Sequence, residues 1–123
     1  LRAFRDGRPF VAAADMTISP TYVPDLVHAT LDLLVDGESG IWHLANDRAV
    51  TWADLARRAA AVAGVPDQTL QPCPTCDLAL VAPRPRNSAL ASERAKLMPG
   101  LEDALARYVA DCPPAGIHLG GRT

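Results

Sequence analysis

Arg84 and Asn87 lie in the run Ala82-Pro-Arg-Pro-Arg-Asn-Ser88, where a proline stands on each side of Arg84. Proline fixes its own φ and restricts the residue before it, so this guanidinium is carried on stiff backbone. A planar fork of donors held at a fixed place suits a diphosphate, which it can grip with paired hydrogen bonds. The same residues also suit a loop arginine in a surface ion pair, and spacing alone favours that second reading.

Cys73-Pro-Thr-Cys76 is the other local motif with chemical potential. A Cys-Pro-x-Cys tetrapeptide is redox-active when it opens a helix, whose N-terminus lowers the first thiol's pKa. Here Gln71-Pro72 precedes it and the apolar run behind it stops at Pro83, which argues for loop cysteines. Structural zinc needs four ligands, and this pair with a distant Cys112 and no nearby histidine is too few, so no metal is expected. His43 falls on an expected strand, His28 on a polar helix face and His118 in the tail; none is assigned a catalytic role.

Several chemistries are missing from the sequence. No glycine-rich turn joins a strand to a helix, so nothing cradles a pyrophosphate. The single lysine, Lys96, has no tyrosine four residues before it, so the Tyr-x-x-x-Lys proton-transfer pair is lacking. A net charge of −2 offers no basic face to nucleic acid or an anionic membrane, and no apolar run is long enough to span a bilayer. Three cysteines, an odd number, fit a reducing compartment and predict a cytoplasmic location. The 123 residues suffice for one modest core but not for a dinucleotide fold with a substrate domain.

The elements that must position these residues follow from periodicity. Leu1 to Gly7 reads as the last turn of a helix closed by a left-handed glycine, which predicts that a further segment precedes it. Pro9 to Ala13 reads as a buried strand. A helix is expected from Pro24 to Gly37, with Leu26, Ala29, Thr30, Leu33 and Leu34 inward and Asp25, His28, Asp32 and Asp36 on the polar stripe. Gly40 to Asn46 reads as a strand, and Thr51 as the cap of a helix burying Leu55, Ala59 and Val62 and ending at Gly64. Prolines 72, 74, 83 and 85 make the stretch from Gln71 to Pro85 extended or looped. A short helix is expected over 92–98, and a last one from Leu101 to about Asp111 with Leu101, Ala104, Leu105, Tyr108 and Val109 inward. The tail, 112–123, has little to pack and reads as disordered, leaving 1–111 as the folded part.

Taken in order, these segments resemble the C-terminal half of dTDP-4-dehydrorhamnose reductase and its relatives among the extended short-chain dehydrogenases. That family carries Asp-Gln-x-Gly-Ser-Pro-Thr-Tyr ahead of a helix, matched by Asp15-Met-Thr-Ile-Ser-Pro-Thr-Tyr22. Its Gly-Ile-Tyr-His-Leu-Thr-Asn is matched by Gly40-Ile-Trp-His-Leu-Ala-Asn46, and its Arg-Pro-x-Asn-Ser by Arg84-Pro-Arg-Asn-Ser88. The resemblance implies an α/β fold forming the substrate-binding portion of a Rossmann-type enzyme whose N-terminal dinucleotide domain lies outside this chain. That domain would bind NAD(P)H and supply the Tyr-x-x-x-Lys pair, while this part would bind a nucleotide-linked sugar. Arg84 would face the substrate diphosphate, with Asn87 and Thr21 as further pocket residues. The reaction implied is reduction of a 4-keto sugar nucleotide; a non-catalytic binding or regulatory module of the same family is the alternative. Met16 and Ile18 depart from the family's Gln and Gly, and Ile18 predicts a different turn before Ser19 if the glycine there uses a positive φ.

Overall fold

In the computed structural model, residues 1–112 are described. The chain opens with helix α1 (Arg2–Arg5), which Gly7 closes at φ +63°, letting the Arg8 N–H donate to the Ala3 carbonyl at 2.8 Å. Strand β1 (Phe10–Ala13) follows where the apolar run lies, but only its second half is buried. Ala12 and Ala13 are enclosed while Phe10 and Val11 are 41% and 48% exposed.

The partner of β1 is β4 (Leu70–Cys73), paired in parallel from Phe10 opposite Leu70 to Ala13 opposite Cys73. A strand here stands against the loop that its prolines predict. Pro72 is admitted because the carbonyls of Thr69 and Cys73 accept from the N–H groups of Phe10 and of Ala14 just past β1, and Pro72 falls between them with its nitrogen toward the open edge. Just beyond β1, the Asp15 carboxylate accepts from both the backbone N–H and the hydroxyl of Thr75, tying the two strand ends together. Those bonds from Thr75 hold the Asp15 carboxyl below the usual carboxylate range.

A second, mixed sheet has the order β3-β2-β5. Its centre is β2 (Thr17–Ile18), antiparallel to β3 (Val50–Thr51) and parallel to β5 (Asn87–Ser88). Helix α3 (Trp52–Val62) starts where expected, with the Thr51 hydroxyl accepting from the Asp54 N–H at 3.1 Å, and Gly64 follows its end at φ +62°. It packs on β1, on β4 and on α4 (Leu101–Asp111). The core there is Val50, Leu101 and Leu105, with Leu55 and Ala59 against it. Val62 and Tyr108, expected inside, are 41% and 45% exposed.

Three further expectations need correction. Helix α2 (Val23–Val35) forms, but Asp25 is buried rather than on a polar stripe, and Thr30 and Leu34 face outward. An ion pair with Arg107 turns the first turn inward and overrides the apolar pattern. The segment from Gly40 to Asn46 is extended but is no strand, because no backbone hydrogen bond engages residues 41–45 among the described residues. Only Asp47, next along, bridges Gly100. Residues 92–98 form no helix. So short a helix cannot sustain itself, and Arg94 is drawn instead to the Ser39 carbonyl and Glu38 while stacking 3.9 Å over the Trp42 ring. The expectation of a disordered tail concerns residues that, Cys112 apart, lie outside the described ones.

Candidate functional site

The two sheets and the loop before β5 enclose an open cavity of about 680 Å³. Its walls come from β1 (Phe10 to Ala13), from Met16 and Ile18, from Trp52 at the start of α3, and from Leu78, Leu80 and Pro85. Arg84 and Ser88 are the residues that bring polar side chains to this lining. Among the described residues Arg84 makes no hydrogen bond and no ion pair. A cation with no protein partner beside an apolar wall suits an anionic group attached to an apolar or aromatic body.

The three residues singled out from the sequence do not share this cavity. Asn87 sits in β5, and its side-chain oxygen accepts from the Ala89 N–H at 3.0 Å, closing a turn. Thr21 lines a smaller hollow of about 140 Å³ with Asn46, Leu55, Leu101 and Tyr108, and its hydroxyl reaches the Ser19 carbonyl at 3.4 Å.

The loop bearing Arg84 is fixed from β2. Thr17 donates its N–H to the Arg86 carbonyl at 2.8 Å, and the Ser88 hydroxyl donates to the Thr17 carbonyl at 3.2 Å. The Ser19 hydroxyl accepts from the Leu90 N–H at 2.9 Å and donates to the Leu90 carbonyl at 3.3 Å.

A second polar assembly, which ties α4 to the start of α2, escaped sequence reasoning. Arg107 pairs with Asp25 through its two terminal guanidinium nitrogens and with Asp103 through Nε and one of them, and stacks 5.1 Å from the Tyr22 ring centroid. Asn46, 2% exposed, donates to Asp25 at 3.0 Å and to the Pro99 carbonyl at 3.0 Å, and accepts from the Tyr22 N–H at 2.7 Å. The Arg107 bonds hold the Asp25 carboxyl low and raise the guanidinium's own pKa. A hydrogen bond to Asp111 raises the Tyr22 phenol. Every polar side-chain atom of Asn46 is used, so this assembly holds the segment entering α2 rather than a ligand. Asp25 beside an apolar run was the available signal, since a charge at an inward helical position demands a partner.

Cys73 and Cys76 are not joined, and burial pushes the Cys73 thiol up, opposite to the shift a redox thiol needs. His43 is exposed, with Nδ1 3.4 Å from the Ala91 carbonyl, and His28 is exposed on α2. His118 lies outside the described residues. Ile18 lies in a strand, and its side chain joins Met16 in the cavity wall, so these two departures from the family pattern fall on the same surface, whereas the third, Trp42 for the family's Tyr, does not. No helix among the described residues is long and apolar enough to cross a membrane.

Comparison with known proteins agrees with this architecture. The RmlD substrate binding domain matches residues 1–111. A dTDP-4-dehydrorhamnose reductase of Mycolicibacterium smegmatis is 37% identical over 78% of this chain and 32% of its own length. A probable low-salt glycan biosynthesis reductase of Haloferax volcanii is 34% identical over 78% of the chain and 34% of its own length. Among solved structures, the dTDP-4-dehydrorhamnose reductase of Bacillus anthracis in complex with NADP superposes with a TM-score of 0.81 at 24% identity, covering 90% of this chain and 41% of that one. The enzyme of the same name from Clostridium acetobutylicum gives 0.80 at 20% identity, over 89% and 40%. The chain thus spans about a third of the curated relatives' length and two fifths of the structures', and it belongs to the family of RmlD substrate-binding domains.

Proposed function

We propose that this chain forms the substrate side of a nucleotide-sugar reductase, binding the nucleotide diphosphate of a 4-keto sugar with Arg84. The observation that carries the reading is the guanidinium of Arg84, unpaired among the described residues, on the wall of a largely apolar cavity. The apolar surface from β1, Ile18 and Trp52 would take the uncharged part of the nucleotide, and Arg84 the phosphates. Asn87 supports the site by shaping the turn behind Arg84, and Thr21 by holding the chain that leads from β2 into α2.

The chemical step would be hydride transfer from NAD(P)H to the keto carbon, with a proton delivered to the resulting alkoxide. This chain has no glycine-rich turn to seat a dinucleotide, and its one lysine has no tyrosine at the required spacing. Cofactor binding and proton transfer therefore fall to another part of the parent protein, and residues 1–111 serve to bind and orient the substrate. A cytoplasmic setting fits the three free thiols and the supply of reduced nicotinamide.

The reading is tested by titrating the full-length protein and its variants with thymidine diphosphate at fixed salt. Arg84→Ala should weaken binding about ten- to a hundredfold, since a charge-assisted hydrogen bond is worth about 1.5–3 kcal/mol. Arg84→Lys should recover only part of that, because an ammonium keeps the charge but not the fork. Arg86→Ala is the control, its side chain lying off the cavity lining. An Arg84→Ala protein that binds like the parent would sink the reading, and binding without turnover by the full-length protein would favour the non-catalytic alternative.

A further inference from the structure

We infer that Ser19 is a positioning residue for Arg84, acting through the backbone of Leu90; this rests on the reading of Arg84 as the diphosphate ligand. The parallel pairing of β2 with β5 covers only Thr17 opposite Asn87 and Ile18 opposite Ser88. Two such pairs fix a loop weakly, because each adds few hydrogen bonds against the entropy of ordering the chain. Ser19 lies one residue beyond β2, and its side chain does what a further strand residue would do. Its hydroxyl takes the Leu90 N–H at 2.9 Å and gives its own proton to the Leu90 carbonyl at 3.3 Å.

Both backbone groups of Leu90 are thereby satisfied by one side chain, although Leu90 itself is 52% exposed. The anchored run thus extends from Arg86, whose carbonyl takes the Thr17 N–H, through Ser88 to Leu90. Arg84 stands just ahead of that run, separated by Pro85, whose fixed φ couples the direction of Arg84 to the anchored residues. Releasing Leu90 lets 86–90 swing about the two strand pairs that remain. Arg84 would then be spread over more directions, and its ligand would have to order it on binding.

The test is a double-mutant cycle in the full-length protein with thymidine diphosphate as the probe, together with amide exchange of the unliganded protein. Ser19→Ala should speed exchange at the Leu90 amide and weaken binding about three- to tenfold, and Ser19→Thr, which keeps the hydroxyl, should restore most of both. In an Arg84→Ala background, Ser19→Ala should add little, because the residue it positions is gone. Equal weakening in both backgrounds means that Ser19 acts on the fold at large and overturns the proposal, as does unchanged exchange at Leu90. An Arg84→Ala protein that binds like the parent overturns the reading of Arg84 and takes the proposal with it, which the exchange result alone would not do.

Discussion

Arg107 and Arg84 show two uses of the same side chain within one small domain. Arg107 spans α4 and the start of α2, bonding Asp25 and Asp103 and covering the Tyr22 ring. Its partners are in turn engaged: Asp25 accepts from Asn46 as well, and Asn46 reaches Tyr22 and Pro99. Arg84 has no protein partner among the described residues, and its backbone is held by prolines and by β2 while its charge faces a cavity. A buried charge must be matched inside the protein or it costs more than the fold can absorb. An exposed charge with a fixed backbone is left for something else to match. The satisfied arginine thus marks a fold contact, and the unpartnered one is the cation we propose for the ligand.

The largest effect should come from breaking the satisfied one. The Asp25 side chain is 5% exposed, and losing one member of a buried pair costs about 3–5 kcal/mol. Arg107 is 38% exposed and can turn to water, so Asp25→Ala should destabilise by about 2–3 kcal/mol, measured by chemical denaturation. Asp25→Asn, which keeps the size and one acceptor, should cost less. Neither substitution should match Arg84→Ala in weakening thymidine diphosphate binding at temperatures where the protein is folded. A variant at Asp25 that loses ligand affinity while keeping its stability would erase the distinction between the two arginines.

Acid sharpens the same contrast. The Asp25 carboxyl is held below its ordinary value of 3.8, first by the Arg107 hydrogen bonds. A depressed folded-state pKa contributes stability that is fully present above the unfolded value and is lost as pH falls through the folded one. Melting temperature should therefore be flat near neutrality and decline below about pH 4. Asp25→Asn should start lower and decline less. Some decline should persist in that variant, because Asp15 is also held low, by Thr75. A variant with the parent's full acid dependence would show that Asp25 is not the group being titrated.

What the sequence makes legible divides along the same line. Elements stabilised by their own residues can be read directly: the Thr51 cap of α3, the glycine closures after α1 and α3, and the apolar repeat of α4. Elements whose form depends on distant partners cannot. β4 forms in spite of Pro72 because β1 lies beside it in the right register, and no local pattern encodes that. The extended 40–46 segment has strand composition but no strand beside it here, and strand pairing needs two chains. Asp25 reads as a surface charge because its partner, Arg107, lies 82 residues away. Of the site, Arg84 is legible through its flanking prolines and the family motif, whereas the apolar wall is not. Phe10, Ile18 and Trp52 come from three separate elements and meet only in the fold.

The smallest effect belongs to a third kind of cation. Lys96 lies 3.1 Å from Asp47, but the two side chains are 78% and 63% exposed. Such a pair attracts through water, is screened by salt, and must immobilise a long flexible side chain. Lys96 therefore has neither the burial of Arg107 nor the fixed, unpartnered setting of Arg84, and it should matter to neither stability nor binding. Lys96→Ala should change unfolding free energy by less than about 0.5 kcal/mol in denaturant titration, and thymidine diphosphate affinity by less than about twofold. What change there is should shrink as salt rises from low to physiological strength. Lys96 also lines a separate hollow of about 90 Å³ with His43, Ser92 and Met98, so a substantial loss of affinity in Lys96→Ala would place a ligand group there instead. That result would show that an exposed, paired cation can be the binding one, and the rule drawn from Arg84 and Arg107 would fail at its first extension.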